Sequence, residues 1–385
     1  MAVRKTKAPR APKDTNYLTP SALAAHINAK FGVNTLVLAS DAVGLVKPRV
    51  STGSFALDIV MGGGFPVGAI ELIEGEAGSS KSWSMIRRAA NFLHAYPEGF
   101  FILVNAEGTN DGPFLEMLGV DLSRTYILSP NSGEEAWDAA HEVASRAKKV
   151  YVGVDSLDAM VPLAELEDDM DQAKMAPAAR MNNKGFRKLI SVMRSDITTT
   201  DHRVTFCVIA QVRTNIGVMF GDPSTTVGGK GKIFAATSRV RLKRVSILRT
   251  EGDRVADRIT YGLLIEAEVL KNKGVGECEI VRYNLYKENY EGFKRGEIDN
   301  VTELVPFLLR YKIVTKAGAW YVLPDGTKFQ GDVRLAEALR VDEKLRLHLI
   351  DLVKKAVASR NDVTPSKATA ARGKKLPMAK KRSSK

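Results

Sequence analysis

Cysteine is nearly absent: Cys207 and Cys278 are the only two in 385 residues, and neither has metal-ligand spacing around it. That excludes a disulfide framework and a cysteine-bound zinc, and a reducing cytoplasm is the expected compartment. No apolar run is long enough to span a bilayer. The basic start, MAVRKTKAPRAPK, has no apolar stretch behind it, so no secretory signal is read there. No internal repeat is evident. Acidic residues are missing from both ends: residues 1–13 hold five cations and residues 364–385 hold eight, with no acid in either. The formal charge of +13 therefore sits in two tails rich in Ala, Pro, Ser and Lys, and residues 14–363 are formally neutral. Such tails are expected to be disordered and to bind polyanions loosely through counterion release.

With 44% hydrophobic and 26% charged residues, the remainder reads as soluble and globular, long enough for more than one domain. Residues 20–31 have helical apolar spacing. Apolar runs at 69–74, 100–105, 150–155, 204–210 and 238–243 read as strands, with helical stretches at 82–95, 134–148 and 178–194 between the first four. Strand and helix alternating in this way predict an α/β fold with a mostly parallel central sheet flanked by helices. Runs at 261–271 and 277–286 should extend the sheet in antiparallel fashion. From residue 301 helices surround a short hairpin turned by Pro324, Asp325 and Gly326, and residues 342–359 close the chain with an amphipathic helix.

Residues 75–82, GEAGSSKS, lie directly between a predicted strand and a predicted helix, the context a phosphate-binding P-loop requires. Gly75, Glu76, Ala77, Gly78, Ser79, Ser80, Lys81 and Ser82 are thus the candidate nucleotide cradle, where loop N–H groups and the helix dipole favour phosphate. Lys81 would reach the β- and γ-phosphates and Ser82 would hold Mg²⁺. Ser80 stands where the P-loop pattern has glycine. An apolar strand ending at Asp155 supplies the carboxylate for the metal, since a lone ionised Asp in a sheet core is costly; a helix N-cap at Asp155 or Ser156 is compatible with it. Glu107, just past the run at 100–105, is placed to activate water.

The stretch QVRTNIGVMFGDPSTTVGG (211–229) follows a strand and then leaves strand chemistry. It sets Ile216, Val218, Met219 and Phe220 among glycines. Large apolar residues in an exposed loop need burial by something else. By its residues alone, folding back on the core and packing on nucleic acid remain even alternatives.

These segments in this order resemble the RecA recombinase family of bacteria and their phages. The likeness is carried by VSTGSFALDIVMGGGFPVG (50–68), the P-loop, NAEGTNDGPFLEMLGVD (105–121), VDS (154–156), AARM (178–181), the 211–229 stretch, KNK (271–273) and GAWY (318–321). It spans residues 20–359, and GVMFG ahead of TTxGG is specific within P-loop proteins. The resemblance implies a RecA-like P-loop NTPase core at 49–300. An N-terminal helix and oligomerisation segment would occupy 14–48 and a small α+β C-terminal domain 301–363, with tails at 1–13 and 364–385. It implies a DNA-dependent ATPase that uses ATP and Mg²⁺, forms helical filaments on single-stranded DNA, and catalyses homologous pairing and strand exchange with duplex DNA in recombination and repair. Single-strand-binding and mediator proteins are possible partners, in the cytoplasm of a bacterial or phage-infected cell.

Residue by residue, the resemblance makes Glu107 the catalytic glutamate and Gln211 the γ-phosphate sensor. Asp111 and Phe114 would contact adenine, Phe standing for the usual Tyr. Met175 and Arg180 would touch DNA from a first loop at 167–177. Arg213, Ile216, Gly228 and Gly229 would touch it from the second. Lys271 and Lys273 would reach ATP across the subunit boundary, and Phe234 would lie at the subunit interface. Ser80, a cluster of acids in the first loop, and a basic rather than acidic C-terminal tail depart from the family pattern; a basic tail should recruit duplex DNA. The alternatives are a single-strand-coating filament protein with weak or no ATP hydrolysis, supported by Ser80, and a ring-forming helicase-type motor.

Overall fold

The structure is a computed structural model that describes residues 17–167, 177–193, 198–199, 201–214, 224–226, 229, 231–252, 257–274 and 279–361. The chain runs α1 (Pro20–Phe31), β1 (Arg49–Val50), α2 (Phe55–Val60), β2 (Phe65–Pro66), β3 (Ile70–Gly75), α3 (Lys81–Ala95), β4 (Phe100–Asn105), α4 (Gly112–Met117) and β5 (Thr125–Leu128). It continues through α5 (Gly133–Arg146), β6 (Lys149–Asp155), α6 (Leu163–Leu166), α7 (Pro177–Met193), β7 (Arg203–Thr214), β8 (Ser224–Thr226), α8 (Gly231–Ala235), β9 (Ser238–Arg249), β10 (Thr260–Asn272) and β11 (Glu279–Tyr286). Last come α9 (Asn300–Arg310), the small sheet β12 (Thr315–Ala317), β13 (Trp320–Val322) and β14 (Lys328–Gln330), then α10 (Gly331–Val341) and α11 (Glu343–Asn361).

The central sheet has the strand order β11-β10-β9-β3-β7-β6-β4-β5. From β9 to β5 the neighbours are parallel, and β10 and β11 are added antiparallel. Every residue of β3, IELIEG, is buried, as expected of a central parallel strand covered on both faces. One face packs under α2 and α3 around Phe65, Met85, Phe92 and Tyr151. The other packs under α5 and α7 around Trp137, Phe186 and Phe206. The apolar residues of α9, α10 and α11, including Leu308, Leu339 and Val353, join the first of these clusters.

Helix starts follow ordinary capping chemistry. Ser54 Oγ accepts the Leu57 N–H, Asp111 Oδ1 the Phe114 N–H and Ser132 Oγ the Glu135 N–H. Less ordinary is the charge inside the sheet. Glu71 on β3 pairs with Arg88 on α3 at 3.0 Å, and neither side chain has any solvent exposure. Glu74 pairs with Arg239 on β9 at 2.9 Å. At the join to α9, buried Glu303 accepts the Ser54 hydroxyl (2.8 Å) and the Ala56 N–H (2.5 Å).

Three stretches differ from the sequence expectation. The edge strand β5 was not anticipated, because four residues, TYIL, carry too short a pattern. β9 runs to Arg249, six residues beyond the expected end, as one arm of a long hairpin with β10. Most relevant to function, the chain does not leave strand conformation at Gln211. β7 continues to Thr214 and pairs antiparallel with β8, placing Val212 opposite Thr226 and Arg213 opposite Thr225. β-branched Val212, Thr214, Thr225 and Thr226 suit that short ribbon.

Candidate nucleotide and DNA site

The C-terminal ends of four adjacent strands, β3, β7, β6 and β4, converge where an open parallel sheet places its ligands. From β3 the backbone passes through Gly75 into the loop. A Cβ at Gly75 would lie 2.4 Å from the Leu242 carbonyl oxygen on β9, so the residue is glycine because another backbone presses on it. Gly78 and Ser80 both take positive φ, +73° and +67°. Ser80 thus adopts the left-handed geometry glycine would supply, and the departure from the P-loop pattern leaves the loop's shape intact. Its hydroxyl is buried without a hydrogen-bond partner among the described residues. Lys81 opens α3, and its ammonium donates to the Glu76 carbonyl at 2.8 Å, closing the loop on itself. Burial lowers its pKa, opposed by the charges of Asp155, Glu107, Asp158 and Glu76.

Asp155 ends β6 with 1% exposure. Burial raises its pKa, opposed by hydrogen bonds from the Ser82 hydroxyl and Asn110; Asn110 Nδ2 lies 3.0 Å from Oδ2. Glu107 is exposed just past β4. Its N–H donates to the Asp155 carbonyl and its Oε1 accepts the Ser156 hydroxyl at 2.7 Å. Gln211 pairs in register with Gly75, level with the first residue of the loop. Its N–H donates to Asp158 Oδ2 at 2.7 Å. Ser82, Lys81, Asp155, Glu107 and Gln211 are therefore gathered at one end of the sheet. Ser82 and Asp155 offer hard oxygen donors beside the loop, a set suited to Mg²⁺.

Asp111 and Phe114 stand at the start of α4, beside a cavity of about 690 Å³ that also touches Met117, Asn289, Lys294 and Arg295. Phe114 meets Trp83, in the first turn of α3, edge to face at 5.3 Å. Lys287 lies over the Trp83 ring, its ammonium 3.2 Å from the centroid, and burial together with Arg295 lowers its pKa to about 7.

Lys271 and Lys273 are not brought to this chain's own P-loop. Lys271 pairs with Arg239, which pairs with Leu72, and Lys273 bonds to Thr237, which bonds to Ile70. They lie three to five residues down the sheet from Gly75, about 10–17 Å at a strand rise of ~3.3 Å per residue. The Lys271 ammonium donates to the Ile233 carbonyl of α8 at 2.8 Å. On that same short helix Phe234 is 76% exposed.

Arg180 is exposed in the first turn of α7. One turn on, Asn183 Oδ1 accepts the Gly231 N–H at 3.0 Å. A Cβ on Gly229, whose φ is +80°, would come within 3.3 Å of Ala179 and Asn183. The exits of the two candidate DNA loops thus meet on one face of α7. Met175, Ile216 and Gly228 lie outside the described residues, as do the two terminal tails; Arg213 is placed in β7 by its backbone alone.

Sequence reasoning missed Asn110, Asp158, Trp83 and Lys287. Asn110 carried a weak signal, lying inside the segment 105–121 that bears Glu107; the others carried none.

Fold and site together define an α/β P-loop nucleotide-binding protein with a carboxylate-bearing strand next to the strand that carries Gln211. The profile of the family described as "RecA N-terminal domain" matches residues 20–286. The chain is similar to the Protein RecA of Mycoplasma mycoides, 30% identical over 337 residues, covering 86% of this chain and 90% of that protein. It is also similar to the Protein RecA of Cytophaga hutchinsonii, 33% identical over 301 residues, with 77% and 78% covered. For the Protein RecA of Colwellia psychrerythraea the identity is 31% over 344 residues, with 87% and 93% covered. The chain belongs to the RecA family.

Proposed function

We propose that this chain is a DNA-dependent ATPase that assembles on single-stranded DNA as a helical filament and catalyses homologous pairing and strand exchange. The observation that carries this reading is the sharing of β7: Gln211 near its C-terminal end lies level with the P-loop, and the same strand runs on to Thr214 and into the segment that returns at Gly229 beside Ala179 and Asn183 of α7. One strand therefore reports nucleotide occupancy to the DNA-binding surface.

Lys81 and the loop amides bind the β- and γ-phosphates once Lys81 releases the Glu76 carbonyl. Mg²⁺ would be held by Ser82 and Asp155 and would neutralise charge on the phosphate oxygens. Glu107, exposed and steadied by Ser156, takes the proton of the attacking water. Gln211 orients toward the γ-phosphate from the neighbouring strand. Phe114 and Asp111 hold the adenine. Lys271 and Lys273, remote from their own P-loop, serve the nucleotide of an adjoining subunit, where two cations stabilise charge on the transferring phosphoryl group. Exposed Phe234 on α8 packs at that same boundary. Among the described residues no helix is long and apolar enough to cross a membrane, and the cytoplasm is the proposed compartment. Met175, Arg180, Arg213, Ile216, Gly228 and Gly229 are the proposed DNA contacts.

The test is a paired substitution. Lys81→Ala should abolish nucleotide-dependent filament assembly on single-stranded DNA, seen by electron microscopy with a non-hydrolysable analogue. Glu107→Gln should retain assembly and lose at least a hundredfold in single-turnover hydrolysis. Assembly by Lys81→Ala with normal nucleotide dependence would overturn the assignment.

A further inference from the structure

Asp158 occupies the 3-10 turn Leu157–Ala159, immediately after β6, and bears on all three parts of the proposed switch, one through a hydrogen bond and two through its charge. One oxygen, Oδ2, accepts the backbone N–H of the sensor residue Gln211 at 2.7 Å. The other, Oδ1, is buried and has no hydrogen-bond partner among the described residues. Its charge acts on two lysines from different elements. One is Lys81 of the P-loop. The other is Lys232 of α8, which has no solvent exposure and also faces Glu74 and Arg239. Burial lowers the Lys232 pKa to about 8, against the pull of both carboxylates. β7 and α8 are the two ends of the segment 215–230, so Asp158 sits between the phosphate lysine and both roots of the second DNA loop.

This arrangement has an electrostatic consequence when a triphosphate arrives. Phosphate oxygens engage Lys81 and place new negative charge near Asp158. Lys81 then ceases to be a counter-charge for Asp158, and Lys232 becomes the cation left to it. A ligand shifts an equilibrium only through a difference in how it interacts with the two states, and this exchange of partners supplies that difference. We propose that Asp158 is a positioning residue that acts on both Lys81 and Lys232 without nucleotide and is left with Lys232 once phosphate engages Lys81, and that by holding the Gln211 backbone it carries nucleotide occupancy to the DNA-binding segment. This rests on the reading of the P-loop and DNA surface given above.

The experiment measures one coupling factor: the ratio of dissociation constants for a fluorescent single-stranded oligonucleotide without and with a non-hydrolysable ATP analogue. It is read on the full chain, on Asp158→Asn and Asp158→Ala, on Lys232→Met, and on the Asp158→Asn/Lys232→Met double variant. Analogue affinity without DNA and thermal unfolding are recorded on the same samples. Asp158→Asn is nearly isosteric and keeps an acceptor for the Gln211 N–H, so a merely structural role would be rescued by it. The proposal expects the coupling factor to fall at least tenfold in Asp158→Asn and Lys232→Met alike. The double variant should be no worse than either single, as for two residues acting in one relay. Coupling within twofold of the native value in Asp158→Asn, or in a folded Lys232→Met, overturns it. So does a loss explained wholly by weaker analogue binding without DNA. Absence of coupling in the native chain would instead bring down the functional reading beneath it.

Discussion

Replacing Ser80 by glycine should stabilise the nucleotide-free protein, an uncommon outcome for a change inside a phosphate-binding loop. Ser80 is held at φ +67° and ψ +31°, directly before the first residue of α3. For a residue with a Cβ that left-handed geometry costs about 1–2 kcal/mol. Its hydroxyl is buried without a partner among the described residues, which costs roughly 1–3 kcal/mol more. Glycine removes both, and gives back about 0.5–1 kcal/mol through the greater freedom of its unfolded chain. The net expectation is a gain of about 1–4.5 kcal/mol. Alanine separates the two contributions, because it removes the hydroxyl and keeps the Cβ at positive φ. Equilibrium urea unfolding should therefore rank the variants Gly, then Ala, then native Ser, with Gly ahead of Ala by up to about 1.5 kcal/mol. Alanine equal to or more stable than glycine would refute the backbone argument. Nucleotide affinity gives a second reading on the same proteins. A fall shared by Ser80→Gly and Ser80→Ala would show that the buried hydroxyl is a phosphate ligand, whose partner arrives with the nucleotide.

Two further outcomes concern charges buried away from the site. Arg88→Met leaves buried Glu71 without its ion pair to α3 and should cost about 3–5 kcal/mol, whereas Arg88→Met with Glu71→Leu should recover most of that loss; additive losses in the double variant would contradict this. Glu303, with its pKa raised by burial from 4.5 to about 8, holds a proton in the folded protein over a range where the unfolded chain has shed it. Stability should therefore fall as pH rises from about 4.5 to about 8, at up to about 1.4 kcal/mol per pH unit from this group. In Glu303→Gln that part of the slope should vanish, and an unchanged slope in urea unfolding across pH 5–8 would show that another group carries it.

The legible parts of this molecule are those whose chemistry is contiguous. Residues 75–82 could be placed because strand, glycine-rich loop, lysine, hydroxyl and helix follow one another without interruption, and Asp155 because an apolar run ends on it. The unread parts depend on strand order. β7 lies between β3 and β6, and only that insertion brings Gln211 level with Gly75 and within reach of Asp158. In the sequence Asp158 is one more polar residue in a turn, and Lys232 one more lysine after a glycine pair. The same holds for Glu71 and Glu74, which point to opposite faces of β3 and find Arg88 and Arg239 inside a sheet covered on both faces, partners that no local pattern names. The apolar, glycine-rich stretch that follows Gln211 shows the difference most clearly. Its composition says that something must cover it, while its connection to the nucleotide comes from β7 running on to Thr214 and pairing with β8 before the loop begins. A ribbon anchored at that depth in the sheet moves with the strand that carries Gln211. On the proposed function, the coupling of ATP to DNA is a property of the register between β3 and β7, and a substitution that slips that register should uncouple the two sites even if every motif residue is retained.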